Sequence, residues 1–593
     1  MLSVILVWIY VLITTYILGF AALRLIVNIP YMYTAKGKKQ CVYTVKYHES
    51  ALVAGIILVT VYAQMFSLVK GVGLAANLLL VATCFALALG LRDELLKNVS
   101  GIIKRLSDTK ELWLYLGVFL LMAYGTSHGL MHYDTDLYHA QAIRWIEEYG
   151  IVRGLGNLHL RLGYNSASFA LSALFSMSFL GKSLHVMAGY FALLLAWQCV
   201  DIVNLVRRRH PILSDFVRVV AIYYLFTIYD EMVSPASDYF MTTITLYIVI
   251  HWLDLYAIHE RSFLPHALLS LTALYAATIK LSAAPFVLLS IYPIARLIRK
   301  RKKGAIKPIL YFVILGVMIA LPFVFRSAVL TGWLVYPFTG IDLLNVSWKV
   351  PYEQAVADAR EIIAYGRGFT DPSGYYAGLS EWLPSWIGNL GLFNKLMLLL
   401  DVLCVPVFIA CFIYYLIGGA AKRAEKNRGA AKVFQLSHRK SVSISDFLFV
   451  ASICYAALLY WLFSSPLVRY GCVYLWLPCT IIIGRFVIYI YDHFQFATSK
   501  WIYKTIAVVI VMFIVYKMGW LIWDDIPRFS PKYFLMQQDY NSYELESREI
   551  DGITFYYPTE GDRTGYDPFP SAPSLDGFKL LGNELRQGFA PSR

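Results

Sequence analysis

A short polar segment places two carboxylates directly after a long apolar run. Residues 132–139 read HYDTDLYH, so Asp134 and Asp136 lie between the apolar stretch 112–122 and an amphipathic segment over 140–149. A carboxylate at a membrane surface is tolerated where water or a cationic partner reaches it. The placement therefore suits a base that acts on a substrate at the edge of the bilayer.

Further charged side chains occur in the same loop and in distant turns. The order of the apolar runs places all of them on the same side of the membrane. A carboxylate can deprotonate an acceptor hydroxyl, and lysine or arginine can bind and neutralise a phosphate leaving group. Together they suit glycosyl transfer from a lipid phosphate. Besides the two aspartates, the group comprises Arg144, Arg153, Arg161, Asp230, Glu231, Asp238, Lys280 and Arg469.

Most of these residues also have a purely structural interpretation. Asp134, Asp136 or Asp238 could cap the helix that follows, since aspartate is a favoured N-cap residue. Arg469 could extend its guanidinium to lipid headgroups. Lys280 is harder to explain in this way, because a lysine in an apolar stretch is unfavourable in a membrane and indicates function by default.

Three histidines could join the aspartates around a metal ion. His132, His139 and His159 match no compact ligand spacing, so a divalent metal is conceivable but not indicated, and we expect no cofactor. The eight cysteines lie mostly in apolar runs and form neither a disulfide framework nor a metal motif.

The composition identifies the class of protein. Of 593 residues, 59% are hydrophobic and 15% are charged, whereas soluble domains average about 25% charged residues. We therefore expect a polytopic membrane protein. The net charge of +14 does not indicate nucleic-acid binding, because the basic residues cluster between apolar runs, where they orient a membrane protein.

About 20 apolar residues are needed to cross a bilayer, and about fourteen runs approach this length. The run 166–181 is shorter, and we interpret it as a re-entrant or juxtamembrane helix. The run 2–22 is expected to be a retained span and not a cleaved signal. The predicted spans are roughly 2–27, 50–69, 72–91, 112–130, 183–205, 214–231, 238–256, 264–279, 282–298, 307–327, 394–418, 445–463, 470–487 and 503–522.

Basic clusters predict the orientation of these spans. Each cluster follows an odd-numbered span, so all clusters share one side, which should be the cytoplasm. Both termini, the loops 131–182 and 328–393, and the tail after residue 523 then lie outside. The clusters cover 36–46, 92–110, 207–209, 299–303 and 422–440.

The first polar loop resembles a known superfamily. The string DTDLYHAQAIRWI over 134–146, with its Asp-x-x-x-Tyr-His pattern, resembles the GT-C superfamily of integral-membrane glycosyltransferases. Relatives include the protein O-mannosyltransferases and the aminoarabinose transferases of lipid A. The resemblance covers roughly 112–490. The tail string GYDPFPS over 565–571 resembles uncharacterised bacterial membrane proteins that share the loop motif.

The resemblance implies an all-α, GT-C-like bundle with a juxtamembrane first external loop. Additional transmembrane helices are expected over 1–111, the catalytic membrane core over 112–522 and a small external segment over 523–593. The resemblance puts the role of catalytic base on Asp134. Asp136 is the second catalytic candidate, because the doubled aspartate departs from the commoner Asp-Glu pair. By location, Lys280 and Arg469 match donor-phosphate ligands, and Asp238 or Asp230 matches a second acidic position. The expected substrate-binding residues are Tyr138, His139, Arg161 and Asp238.

These features together predict an inverting glycosyltransferase at the outer face of a bacterial cytoplasmic membrane. It would move a sugar from a polyprenyl-phosphate donor to an acceptor glycan, lipid or protein, with membrane lipid and no nucleic acid as a partner. The chain shows no nucleotide-binding motif, in agreement with a lipid-linked donor. The alternatives are an O-antigen-type polysaccharide polymerase or ligase, and a lipid-linked sugar flippase, which would need charges distributed along the span interiors.

Overall fold

The fold is predominantly helical. The structure is a computed structural model that describes residues 1–27, 48–108, 111–208, 210–301, 304–426, 434–493 and 500–592. The basic cluster predicted over 36–46 lies outside the described residues, as do parts of the later clusters.

Helices follow one another through almost the whole described chain. In the first half they are α1 (Leu2–Val27), α2 (His48–Ser67), α3 (Leu74–Gly90), α4 (Arg92–Asp108), α5 (Leu112–Ser127), α6 (Ala140–Glu148), α7 (Leu155–Leu158), α8 (Ala167–Phe175), α9 (Met187–Val200), α10 (Val203–Arg208), α11 (Leu213–Thr227), α12 (Ser237–Ala257) and α13 (Phe263–Ile279). In the second half they are α14 (Ile291–Arg301), α15 (Ile306–Thr331), α16 (Tyr352–Gly366), α17 (Leu379–Asn389), α18 (Leu392–Lys426), α19 (Phe434–Ser464), α20 (Val468–His493) and α21 (Lys500–Asp525).

Long apolar helices indicate a multi-pass membrane protein. Within the described ranges, nine helical stretches are long and apolar enough to cross a membrane, or ten if α3 and α4 count as one span bent by 92°. All fourteen predicted runs fall on helical segments, but α5, α11 and α13 are shorter than that test requires. The predicted count of about fourteen spans is therefore not confirmed.

Two elements differ from a simple succession of spans. The run 166–181 contains α8, whose nine residues are all buried and which is too short to cross about 30 Å of hydrocarbon. The basic segment after the third predicted span is not a loop but the helix α4, which turns sharply away from α3. Its apolar and charged residues lie on opposite faces, which is the pattern of a helix lying along a membrane surface.

The bundle is built around α12. This helix is the most buried of the candidate spans and packs against α9, α11, α13 and α20. At the periphery, α18 exposes most of its apolar side chains, as expected for a lipid-facing helix. The first turn of α12 therefore lies at the centre of one end of the bundle, which we call the site end.

The site end also carries the N-terminus, the polar loops and the tail. The Ser3 N–H donates a hydrogen bond to the Leu535 carbonyl at 3.0 Å, which joins the start of α1 to the tail. The Gly154 N–H donates to the Val329 carbonyl at 2.8 Å, which joins the first polar loop to the last turn of α15. The sequence predicts all of these segments on one side of the membrane, and they lie together at one end of the bundle.

The tail after α21 contains strands, so the expected all-α class holds for the membrane part only. The strands β1 (Leu545–Ile550) and β2 (Ile553–Pro558) form an antiparallel hairpin, and β3 (Phe578–Leu580) pairs with β4 (Phe589–Pro591). The hairpin turns at Asp551 and Gly552, with φ of +49° and +79°. Aspartate followed by glycine favours this type of turn, because both positions need positive φ.

The tail is docked on the amphipathic helix α6. The Arg144 guanidinium lies 4.7 Å from the ring centre of Tyr566 and 4.8 Å from that of Phe569. The Tyr566 hydroxyl donates to the buried carboxylate of Glu147 at 2.6 Å. The tail therefore closes over the first polar loop.

The tail and the polar loops lie at the same end of the bundle, so they should face the same side of the membrane. Reporter fusions after Trp523 and within 339–348 should both read as external, because the tail and the α15–α16 loop contact the same polar loop. A fusion within 422–440 should read as cytoplasmic. A cytoplasmic signal from the tail, with an intact chain shown by immunoblot, would contradict the orientation.

Candidate functional site

Four separate elements bring charged side chains together at the site end. Asp134 begins a π-helix over Thr135–His139, and Asp238 lies in the first turn of α12. Lys280 follows the last residue of α13, and Arg469 lies in the first turn of α20. We call these four residues the charged cluster.

Arg469 contacts both carboxylates of the charged cluster. Its Nη2 lies 2.7 Å from Oδ2 of Asp134, and its Nε lies 3.4 Å from Oδ2 of Asp238. The two carboxylates belong to the first polar loop and to the central helix. One guanidinium thus joins three elements, and its fork-like geometry suits two carboxylates at once.

Lys280 supplies the second positive charge of the cluster. Its ammonium forms a salt bridge with Oδ1 of Asp238 and lies 3.8 Å from the ring centre of Tyr470. Burial lowers the pKa of Lys280 below its ordinary value, although Asp238 acts in the opposite direction. Two carboxylates therefore face two cations in a partly buried site.

His132 packs against the guanidinium. Its Nδ1 accepts a hydrogen bond from the backbone N–H of Asp134 at 3.0 Å, and its ring lies against Arg469. Burial and the nearby Arg469 lower the pKa of His132 to about 4, so the imidazole is neutral at physiological pH. A neutral ring adds no third positive charge to the cluster and fixes the backbone beside Asp134.

The ends of helices explain why these charges are tolerated here. Asp238 lies at the N-terminal, positive end of α12, and Lys280 lies at the C-terminal, negative end of α13. Gly471 interrupts the helical geometry of α20, and an added Cβ there would lie 2.5 Å from the Trp461 ring. This close packing helps to orient the first turn, which carries Arg469.

Neither aspartate of the charged cluster caps a helix. Asp134 stands at the N-cap of the π-helix, but its side chain makes no capping hydrogen bond. Asp238 lies two residues after Ala236, the N-cap residue of α12, and directs its carboxylate to Lys280 and Arg469. Both carboxylates are used in contacts between distant parts of the chain.

Asp136 belongs to a different contact, although it is two residues from Asp134. Its Oδ2 accepts hydrogen bonds from Asn541 at 2.9 Å and from the Tyr543 hydroxyl at 2.7 Å. Burial raises the pKa of Asp136, and the two hydrogen bonds act against this shift. Asp136 therefore anchors the tail.

The expected substrate-binding residues lie around the cluster. Tyr138 is almost fully buried, and burial raises its pKa well above the ordinary value, with the charges of Asp134 and Asp238 acting in the same direction. His139 packs against the Tyr138 ring at 4.3 Å, and burial lowers its pKa well below the ordinary value. Arg161 is partly exposed and forms a salt bridge of 3.2 Å with Glu361 of α16.

The remaining acidic candidates lie apart from the cluster. Asp230 contacts Arg528 of the tail at 3.4 Å, and Glu231 accepts a hydrogen bond from the Tyr239 hydroxyl. Asp238, and not Asp230, is therefore the acidic residue beside Lys280 and Arg469. In the described part of the chain, no three His, Cys, Asp or Glu side chains are grouped so as to hold a metal ion.

The sequence interpretation did not assign a role to two residues that shape this region. Tyr470 contacts both cations, with its ring centre 5.1 Å from the Arg469 guanidinium. Asp358 of α16 accepts hydrogen bonds from the hydroxyls of Tyr164 and Tyr336 at 2.8 and 2.9 Å. The aromatic residue next to Arg469 was visible in the sequence. The contact of Asp358 with Tyr164 joins residues 194 positions apart and has no local signature.

The arrangement combines a carboxylate, two cations and an aromatic ring at one end of a membrane bundle. Asp134, with a side chain 12% exposed, can accept a proton, and Lys280 and Arg469 can bind an anionic oxygen. The cluster therefore has the parts required for group transfer from a phosphate ester.

Comparisons with known proteins place the chain in one family. A family model described as "Domain of unknown function (DUF8201)" matches residues 1–476. No curated protein and no solved structure matches the chain.

The anchoring of the tail by Asp136 can be tested directly. Asp136→Ala removes the acceptor of Asn541 and Tyr543, and hydrogen bonds to charged groups contribute about 1.5–3 kcal/mol. Amide exchange over 561–566 should accelerate by roughly 10–100-fold, as expected for a local opening of that free energy. Glu546→Ala, which removes an acceptor on the exposed hairpin, is the matched control and should have no such effect. Unchanged exchange in Asp136→Ala would show that other contacts hold the tail.

Proposed function

The chain belongs to that family of unknown function, and we propose that it is an inverting membrane glycosyltransferase that uses a polyprenyl-phosphate-linked sugar. The donor would enter from the outer leaflet of the bacterial cytoplasmic membrane, and the acceptor would be a glycan, lipid or protein on the outer face. The observation that carries the proposal is the contact of Arg469 with Asp134, beside Lys280.

The resting charges support a donor that carries an anion. Two carboxylates and two cations, with a neutral His132, give the cluster a net charge near zero when no substrate is bound. A phosphodiester donor adds one negative charge, and its departure as a phosphate monoester adds more. Lys280 and Arg469 therefore stabilise the transition state, in which the bond to the phosphate breaks, more than they stabilise the bound donor. This difference lowers the activation barrier.

The reaction follows from these positions. Asp134 takes the proton of the acceptor hydroxyl, and the oxygen attacks the anomeric carbon on the face opposite the phosphate. The bond between the anomeric carbon and the phosphate oxygen breaks, and its electron pair leaves with polyprenyl phosphate. A new glycosidic bond forms with inverted configuration. Lys280 and Arg469 neutralise the departing phosphate, and Asp134 later releases the proton to water.

Asp238 has a separate task in this scheme. It contacts both Lys280 and Arg469, so it holds the cations in place and keeps Lys280 charged against the effect of burial. A donor phosphate would replace part of these contacts. Binding of the donor then needs no large movement of the helices, because the cations already lie at their helix ends.

The role of Asp134 predicts the result of a conservative change. Asp134→Asn keeps the size of the side chain but removes the base, so turnover should fall by roughly 10²–10⁴-fold. Asp136→Asn should have a smaller effect, because Asp136 contacts the tail. The measurement is release of polyprenyl phosphate and formation of the glycoside by purified protein with a set of polyprenyl-phosphate sugars.

Comparison of the Asp134→Asn and Asp136→Asn variants shows which aspartate is the base. An inactive Asp136→Asn with an active Asp134→Asn would move the base to Asp136. Full turnover in both variants would exclude the first polar loop as the source of the base. Thermal unfolding of each variant shows whether a loss of turnover reflects a loss of folded protein.

The two cations predict a change in donor affinity. Lys280→Met and Arg469→Met should each weaken binding of a polyprenyl-phosphate sugar by about 1.5–3 kcal/mol, the scale of a hydrogen bond to a charged group. Acceptor affinity should change little. Lys182→Met and Arg528→Met are matched controls, because both residues lie at the site end with exposures of 25% and 24%, against 22% for Lys280 and 23% for Arg469.

Direct binding to folded protein decides this prediction. Equal donor affinity in wild type and in both cluster variants would mean that the phosphate is held elsewhere, with Arg144, Arg153 and Arg161 as the next candidates. An equal loss in the control variants would indicate a general effect of surface charge.

A further inference from the structure

A second group of polar and aromatic residues lies where the tail meets the first polar loop. We propose that Arg563 and Tyr133 form a binding site for a carboxylate-bearing saccharide, which serves as the acceptor. The inference rests on the proposed function for the role of the saccharide, but the binding itself does not depend on catalysis.

Two tyrosines hold the Arg563 guanidinium. Its Cζ lies 4.9 Å from the ring centre of Tyr543 and 5.3 Å from that of Tyr133. A guanidinium stacked on aromatic faces keeps its edge available for hydrogen bonds. The rings therefore restrict the side chain before any ligand arrives, which reduces the entropy lost on binding.

Backbone contacts fix this pair of segments beside the charged cluster. The N–H groups of Thr564 and Gly565 donate to the Asp136 carbonyl at 2.9 and 2.8 Å. The Tyr543 hydroxyl donates to the Asp136 carboxylate. Arg563 is thus anchored over the residues on both sides of Asp134, and Tyr133 is the immediate neighbour of the proposed base.

Arg563 and Tyr133 are both accessible. Arg563 is exposed and forms no salt bridge with any carboxylate of the described residues, whereas Arg144 and Arg161 of the first polar loop each do. Tyr133 is 49% exposed. Its hydroxyl donates a hydrogen bond to Asp562, so the carboxylate that precedes Arg563 in the sequence already has Tyr133 as a partner.

The chemistry of these side chains favours an acidic sugar. A guanidinium binds a carboxylate through two parallel hydrogen bonds, and the exposed part of an aromatic ring packs against the apolar face of a pyranose. A uronic acid offers both groups on one ring. With its ring on Tyr133, a hydroxyl of the same or the adjoining sugar would come near Asp134.

Binding to the full-length protein in detergent tests the site without any transfer reaction. The probes are a tetrasaccharide of galacturonic acid, cellotetraose as a neutral saccharide and tetraglutamate as an acidic peptide. We expect wild type to bind the acidic tetrasaccharide at least about tenfold more tightly than either other probe, because only it matches both the guanidinium and the ring. Arg563→Gln should weaken that binding by about tenfold. Arg548→Gln, which changes an exposed arginine of β1, should leave it unchanged.

The controls keep this test independent of the proposed reaction. Asp134→Asn should still bind the acidic tetrasaccharide at least about tenfold more tightly than cellotetraose, because Arg563 and Tyr133 are intact in this variant. A failure of the proposed base and a failure of this site therefore give different results. Equal binding of acidic and neutral tetrasaccharides by wild type would overturn the site, even if Arg563→Gln failed to fold. Unchanged affinity in a folded Arg563→Gln variant, or tighter binding of tetraglutamate, would overturn it as well.

Discussion

The contact of one guanidinium with two carboxylates organises the site end of this protein. Arg469 joins Asp134 of the first polar loop to Asp238 of the central helix, and Lys280 shares Asp238. Each charge would be unfavourable alone near the membrane, because burial without a partner opposes ionisation. Removing any member leaves its partners uncompensated. The positions of α12, α13 and α20 relative to the loop are therefore linked to this cluster, and any chemistry at Asp134 depends on it.

The tail depends on the same loop in a different way. Asp134 faces the bundle, whereas Asp136, two residues further on, faces the tail and holds Asn541 and Tyr543. Asp134 precedes the π-helix over Thr135–His139 and Asp136 lies inside it, and such local widening of a helix is frequent at functional sites. One short segment thus connects the membrane cluster with the tail. A movement of the tail could reach the cluster through only a few residues.

The sequence predicted where apolar helices occur, because a span is encoded by about 20 neighbouring residues, but its count of about fourteen spans is not confirmed. It also selected Asp134, Asp238, Lys280 and Arg469, but only as polar residues on one side. Their pairing joins residues as far apart as 335 positions and depends on how the helices pack. The different directions of Asp134 and Asp136 were equally hidden, because residues 541–565 decide them. The strands β1 and β2 were predictable, since the Asp551-Gly552 pair precedes residues typical of a strand, but the polar, Pro-rich composition of the tail concealed this signal.

The location of charge at helix ends explains how a polar site is compatible with an apolar bundle. Asp238, Lys280 and Arg469 lie within a turn of the start or end of a helix, where unsatisfied backbone groups and nearby water moderate the free energy of a charge. The same placement keeps the cluster within reach of both the bilayer edge and the aqueous side. In the proposed reaction, a lipid-linked phosphate would approach from the bilayer edge and a polar acceptor from the aqueous side. The tail covers Asp136, whereas Tyr133 and Arg563 are accessible, so the acceptor would pass these two residues on its way to Asp134. Asp134, which belongs to the cluster that orders the bundle, and Tyr133, which is proposed to hold the acceptor, are therefore adjacent residues of the first polar loop.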